Sequence, residues 1–133
     1  MKVIENYKGA IENSDENSFK EIFAPQVRVE VPAGPSVNHP ANTVSHILSQ
    51  VAKTAPGIRC TLTADAGNNW YLLVFEGQLE GEKLQAIDQV HLNKDGKIDH
   101  IIIYMRPLSS RQEVCRSHHA KTSACEVRGR PQL

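Results

Sequence analysis

The stretch LQAIDQVHLNKDGKIDHIIIYMRP (Leu84–Pro107) reads as two alternating strands joined by a tight turn over Asn93–Gly96, and it sets one carboxylate, Asp88, among apolar side chains. Upstream, NNWYLLVFEGQL is apolar on both faces and turns back at Glu80–Gly81 into the first of these strands, and IRCTLTADAG alternates before it. Successive strand side chains point to opposite faces. Pairing across Glu80–Gly81 brings Leu73 beside Asp88, and pairing across Asn93–Gly96 brings Asp88 beside Ile101. One face then collects Tyr71, Leu73, Phe75, Asp88, Val90, Ile101, Ile103 and Met105. The other collects Trp70, Leu72, Val74, Ile87, His91, His100, Ile102, Tyr104 and Arg106. Both faces are too apolar for water. One must cover the helices, and the other, mixed apolar and aromatic, is the kind of patch that marks a protein interface. The expected partner is a second copy of the chain, packed through Trp70, Leu72, Ile102 and Tyr104; the alternative is a C-terminal tail folded back over this face.

The helical signals all precede these strands. MKVIENYKGAIENSDENSFKEIF carries Ile4, Tyr7 and Ile11 at helical spacing, then Asn13, Ser14 and Asp15 as stop and cap residues, then Phe19, Ile22 and Phe23. That predicts two consecutive amphipathic helices. APQVRVEVPAG alternates Val27, Val29 and Val31 until Pro32 and Gly34 end the run, which predicts a short edge strand followed by a loop. ANTVSHILSQVAK sets Val44, Ile47, Leu48 and Val51 on one stripe, a third helix capped near Asn42 and terminated by Pro56 and Gly57. Helices followed by a meander of strands give an α+β fold, three N-terminal helices packed on one face of a curved antiparallel or mixed sheet.

Length and charge narrow the function classes. The chain has 133 residues and equal numbers of basic and acidic side chains, 15 each. No basic excess points to nucleic acid or to an anionic membrane surface. No apolar run of about 18 residues occurs, and no charged-then-apolar leader precedes a small-residue cleavage site, so one cytoplasmic domain is expected. Residues 1–108 carry the domain signals. The tail 109–133 is polar and basic, with five basic against two acidic residues from Pro107 onward, and its composition is that of a peripheral appendage. Three cysteines, Cys60, Cys115 and Cys125, are an odd number without CxxC spacing, which argues for reduced thiols. Cys115, His118, His119 and Cys125 lack the paired short spacings of a zinc site, so no metal and no cofactor is expected. Phosphate-binding glycine loops and GxSxG are absent as well.

Asp88 carries the chemistry. A carboxylate surrounded by Leu73, Val90 and Ile101 loses hydration, which raises its pKa and suits it to grip a ligand or to act as a general acid or base near neutrality. The structural alternative is an Asp88 that accepts a hydrogen bond from Tyr7 and ties the first helix to the sheet. Tyr7 lies on the apolar stripe of that helix, and His39, in VNHPAN, lies in the loop expected to form the pocket mouth.

AIDQVHLNKDGKI resembles the closing hairpin of the NTF2-like, or cystatin-like, superfamily, in its branch of SnoaL-like polyketide cyclases and ketosteroid isomerases. NYKGAIENSDENSFKEIFAPQVRVEVPAG and NHPANTVSHIL are similar to its N-terminal half, and the likeness spans about Asn6 to Arg106. The resemblance implies a cone-shaped α+β barrel with an internal pocket, lined by Val31, His39, Tyr71, Leu73, Phe75, Val90, Ile101, Ile103 and Met105. It implies Tyr7 and Asp88 as catalytic residues, at the places where ketosteroid isomerases keep a tyrosine and a protonated aspartic acid that both donate to the substrate carbonyl. The proton-shuttling aspartate of those enzymes falls on Val31, which moves no proton. The arginine and two aspartates of limonene-epoxide hydrolases also have no match, since Ile103 stands near one of those positions. The expected ligand is a small, mostly apolar molecule with a carbonyl or hydroxyl group, turned over by a cofactor-independent isomerase, cyclase or hydrolase; the competing expectation is a non-catalytic binding or dimeric interaction module of the same fold.

Overall fold

The apolar stripe Ile4, Tyr7 and Ile11 is buried on helix α1 (Lys2–Asn13), which ends where Ser14 turns left-handed at φ 54°. Asp15 then caps α2 (Glu16–Lys20), accepting from the backbone N–H of Asn17 at 3.1 Å and of Ser18 at 3.4 Å. This is a computed structural model, and the residues it describes are 2–32 and 34–106. The expected tail 109–133, with Cys115, His118, His119 and Cys125, lies outside them. None of the described helices is long and apolar enough to cross a membrane.

Helix α3 (Ala41–Lys53) starts two residues earlier than the cap at Asn42 would give: Pro40, extended at ψ 154°, stands at the cap position and makes no side-chain cap bond. Its buried face holds Val44, Ser45, Leu48, Ser49 and Ala52. The two buried hydroxyls are satisfied within the helix, Ser45 donating to the Ala41 carbonyl at 2.8 Å and Ser49 to that of His46 at 2.9 Å. Ile47 and Val51, which the spacing assigns to the same stripe, are instead 41% and 45% exposed.

The strands are β1 (Phe23–Glu30), β2 (Val37–Pro40), β3 (Arg59–Gly67), β4 (Trp70–Leu79), β5 (Glu82–Leu92) and β6 (Ile98–Arg106), in the sheet order β2-β1-β6-β5-β4-β3. All neighbours are antiparallel except β1 and β6, so the sheet is mixed. It curves around the helices without closing, and β2 and β3 are its edges. β1 is therefore not the edge strand that its Pro and Gly boundary suggests; β2 covers it. The hairpins are sharp because Asn68 and Asn69, at φ 55° and 66°, and Glu80 and Gly81, at φ 53° and 82°, adopt the left-handed pairs that match strand twist.

Leu73 pairs with Asp88 as the turn at Glu80–Gly81 requires. Across the other turn Asp88 meets Ile103, and Ile101 meets Val90, because the turn closes at Lys97, one residue later than expected, and the register slips by one more between His91 and Leu92. A two-residue slip leaves every side chain on its expected face, since strand periodicity is two. Tyr7, Phe19, Phe75, Leu73, Ile98 and Ile101 fill the space between this inner face and the helices.

Candidate functional site

Helix α1 brings Tyr7 over the middle of β5, where its hydroxyl donates to Oδ2 of Asp88 at 2.5 Å. Edge-on contacts with Phe19 and Phe75, at centroid distances of 5.9 and 6.5 Å, fix the ring. Tyr7 is fully buried, and burial together with the neighbouring carboxylate pushes its pKa well above the usual tyrosine range. Its hydroxyl is a donor, and it stays protonated.

Asp88 is 4% exposed and is the only charged side chain in the core of the described residues. Burial raises its pKa to about 6, against the opposing pull of the Tyr7 hydrogen bond, which favours the ionised form. Its Oδ1 meets no hydrogen-bond donor among the described residues, and no lysine, arginine or histidine among them pairs with it.

That carboxyl lines a cavity of about 50 Å³ between α1, α3 and the inner sheet face, and is the one polar residue among its walls, which include Ile11, Ala52, Phe75, Leu84 and Ala86. A second cavity of about 110 Å³, wholly apolar, adjoins it on the β1 side, walled by Val29, Val31, Pro32, Val44 and Ile47. Leu48, Val51, Ile103 and Met105 line both and form the partition between them. The exposed apolar residues Ile47, Val51 and Val31 rim this cleft, which is why the α3 stripe is wider than its packing needs.

The two cavities sort the residues that sequence reasoning singled out. Asp88 and Phe75 line the inner one, Val31 the outer one, and Ile103 and Met105 both. Tyr7, Leu73, Val90 and Ile101 are fully buried behind the walls, Tyr71 is half-buried outside them, and His39 sits on β2 opposite Val27, lining neither cavity. Tyr7 and Asp88 are bonded to each other, not set side by side as two donors aimed at a third atom. The sequence reading missed Leu48, Val51 and Ile47, whose signal was an apolar stripe on α3 too broad for one buried face.

On the outer face Trp70 packs against the rings of His91 and His100 at centroid distances of 4.9 and 5.2 Å. His91 Nδ1 lies 2.7 Å from Asp99 Oδ1, and His100 Nε2 lies 2.7 Å from Glu30 Oε2. Tyr104, 51% exposed, and Ile87, 37% exposed, continue the patch. No cluster of three or more metal-ligating side chains occurs among the described residues.

No protein-family model matches the sequence, and no curated protein is significantly similar to it. Solved structures are similar in fold. An uncharacterized bacterial protein with a cystatin-like fold from Silicibacter pomeroyi superposes with a TM-score of 0.74 at 19% identity, over 95% of this chain and 88% of that one. A steroid delta-isomerase from Pseudomonas aeruginosa gives 0.71 at 22% identity, over 92% and 93%. An NTF-2 like protein of unknown function from Burkholderia xenovorans gives 0.67 at 13% identity, over 84% and 89%. Likeness at these identities establishes fold and leaves chemistry to be read from the site.

Proposed function

For a chain with the NTF2-like, cystatin-like fold, we propose that the protein binds a small, largely apolar molecule in the cleft between α3 and the inner sheet face, with Asp88 as its polar anchor. The observation that carries this reading is the lone carboxyl, buried and with one oxygen unpartnered, in a cavity whose other walls are apolar. A folded chain keeps such a group only against a cost in stability, and binding sites combine apolar walls with a few placed polar groups in this way.

Cavity size limits the ligand. Volumes of about 50 and 110 Å³ are well below the roughly 300–1,000 Å³ typical of sites for drug-sized ligands. The proposed ligand therefore has few heavy atoms, and a rigid steroid skeleton is too large for the cleft in this conformation. Acid–base chemistry, if the ligand is turned over, runs through Asp88, whose pKa of about 6 suits proton transfer near neutrality. Tyr7 is a positioning residue in this account, because it holds Asp88 and has no face on the cavity. With Val31 on the outer wall, no second acid or base among the described residues lines either cavity to complete a two-residue proton shuttle.

The test is a fragment screen by NMR against the wild type and Asp88→Asn. Binders should perturb the methyl signals of Leu48, Val51, Ile103 and Met105, and fragments carrying a polar group should lose affinity in the variant. A screen in which no fragment moves those methyl groups would refute the reading.

The outer sheet face favours a second proposal, a homodimer packed through Trp70, Leu72, Ile102 and Tyr104. Half-buried apolar and aromatic side chains there, with Tyr104 and Ile87 exposed, form the composition of an interface core.

A further inference from the structure

Among the described residues, the cleft walls carry a side-chain acceptor and no side-chain donor. Tyr7, whose hydroxyl could have served a ligand carbonyl, spends its single proton on Asp88 Oδ2 and is sealed behind the wall. The remaining walls of the inner cavity offer only hydrocarbon and the Met105 thioether, and those of the outer cavity add no polar side chain. The one polar side chain that lines the cleft is Asp88, whose Oδ1 has no hydrogen-bond donor and whose charge has no cation among the described residues to balance it.

We infer that the ligand supplies what the cleft lacks, a hydrogen-bond donor bearing positive charge: a small apolar amine, bound as its ammonium ion with the nitrogen on Asp88 and the hydrocarbon part along Leu48, Ile103 and Met105. The inference rests on the ligand-binding reading above and specifies it. An isolated buried carboxylate is costly, and a cation that arrives with the ligand removes that cost, whereas a carbonyl oxygen brought against it adds repulsion unless Asp88 is first protonated. Burial, the larger influence, favours the protonated carboxyl; the Tyr7 hydrogen bond opposes it and helps to hold the ionised form that an ammonium ion would meet. A chain of a few carbons suits the cavities of about 50 and 110 Å³.

Pentan-2-amine, pentan-2-ol and pentan-2-one test this, because they share one carbon skeleton and differ in the polar group. Affinities are measured at pH 8, where Asp88 is ionised and the amine is still a cation, by following the Ile103 and Met105 methyl signals of the full chain. The amine is expected to bind at least tenfold more tightly than the ketone, with the alcohol between them. Asp88→Asn, which keeps the shape of the side chain and its bond from Tyr7, should cost the amine at least tenfold and leave the ketone unchanged or tighter. If the wild type binds the ketone as tightly as the amine, or if the amine is indifferent to Asp88→Asn, the inference is wrong and the cleft remains a ligand site of another specificity. If none of the three moves the cleft signals, the inference and the binding reading fall together.

Discussion

Asp88 is a buried carboxyl among hydrocarbon walls, a placement that costs stability. Its folded-state pKa of about 6 lies above the value of 3.8 for an ordinary aspartate. Between those two values the folded protein keeps a proton that the unfolded chain gives up, so stability is fully present below the lower value, falls as pH rises to about 6, and is level above it. A difference of this size corresponds to on the order of 3 kcal/mol. Asp88→Asn should abolish that slope and be about 1–3 kcal/mol more stable than the wild type at pH 8, which urea titrations at pH 4 and pH 8 would measure; equal pH dependence in the two proteins would count against a desolvated acid. Tyr7→Phe should do the reverse at the same site: loss of a buried hydrogen bond destabilises by roughly 1–3 kcal/mol, and Asp88, without the group that favours its ionised form, should titrate above 6. Asp88 was legible in the sequence because a carboxylate in an alternating strand breaks the pattern of its face. The contact with Tyr7, 81 positions away on another element, stood in the sequence only as the structural alternative for Asp88, and it is that alternative, not a pair of donors aimed at a ligand, that the geometry matches.

At the scale of elements, the strongly periodic segments were readable and the short or interrupted ones were not. Strands β5 and β6 alternate over eleven and nine residues, β4 is a ten-residue run apolar on both faces, and their turns carry Asn68, Asn69, Gly81 and Gly96 in left-handed backbone. Strand β2 has four residues, ends in proline, and follows a loop rich in proline and glycine, so nothing in its own composition marks it as paired. Without β2, β1 reads as an edge and His39 as a loop residue; with it, His39 is held opposite Val27, away from the cleft. Helix α3 misled in another way, since its stripe includes Ile47 and Val51, which face the cleft rim and not the core. Gly77 illustrates a constraint that periodicity cannot reveal. A Cβ there would lie 3.1 Å from the Cα of Ile58, so the backbone at the start of β3 packs directly on the bare strand. Gly77→Ala should lower stability by about 1–3 kcal/mol through that overpacking, seen as a fall in Tm; an unchanged Tm would mean that the Ile58 segment yields freely.

As a whole, the described residues form a curved six-stranded sheet that does not close, with three helices filling most of one face and leaving a narrow apolar cleft beside α3. The opposite face carries the Trp70, His91 and His100 cluster and the exposed Tyr104. If that face is a dimer interface, Tyr104→Glu places a charge in it, and the expected result is a shift from dimer to monomer in sedimentation at micromolar concentration with the cleft still able to bind. A wild type that sediments as a monomer would remove the homodimer from the account. Ligand binding in the cleft does not depend on the dimer. The carboxyl carbon of Asp88, followed by NMR titration with Asp88→Asn to assign it, tests the cleft most directly. A midpoint near 6 is expected, the mark of an acid desolvated in an apolar cleft; a midpoint near 4, that of a solvated or charge-paired aspartate, would contradict it.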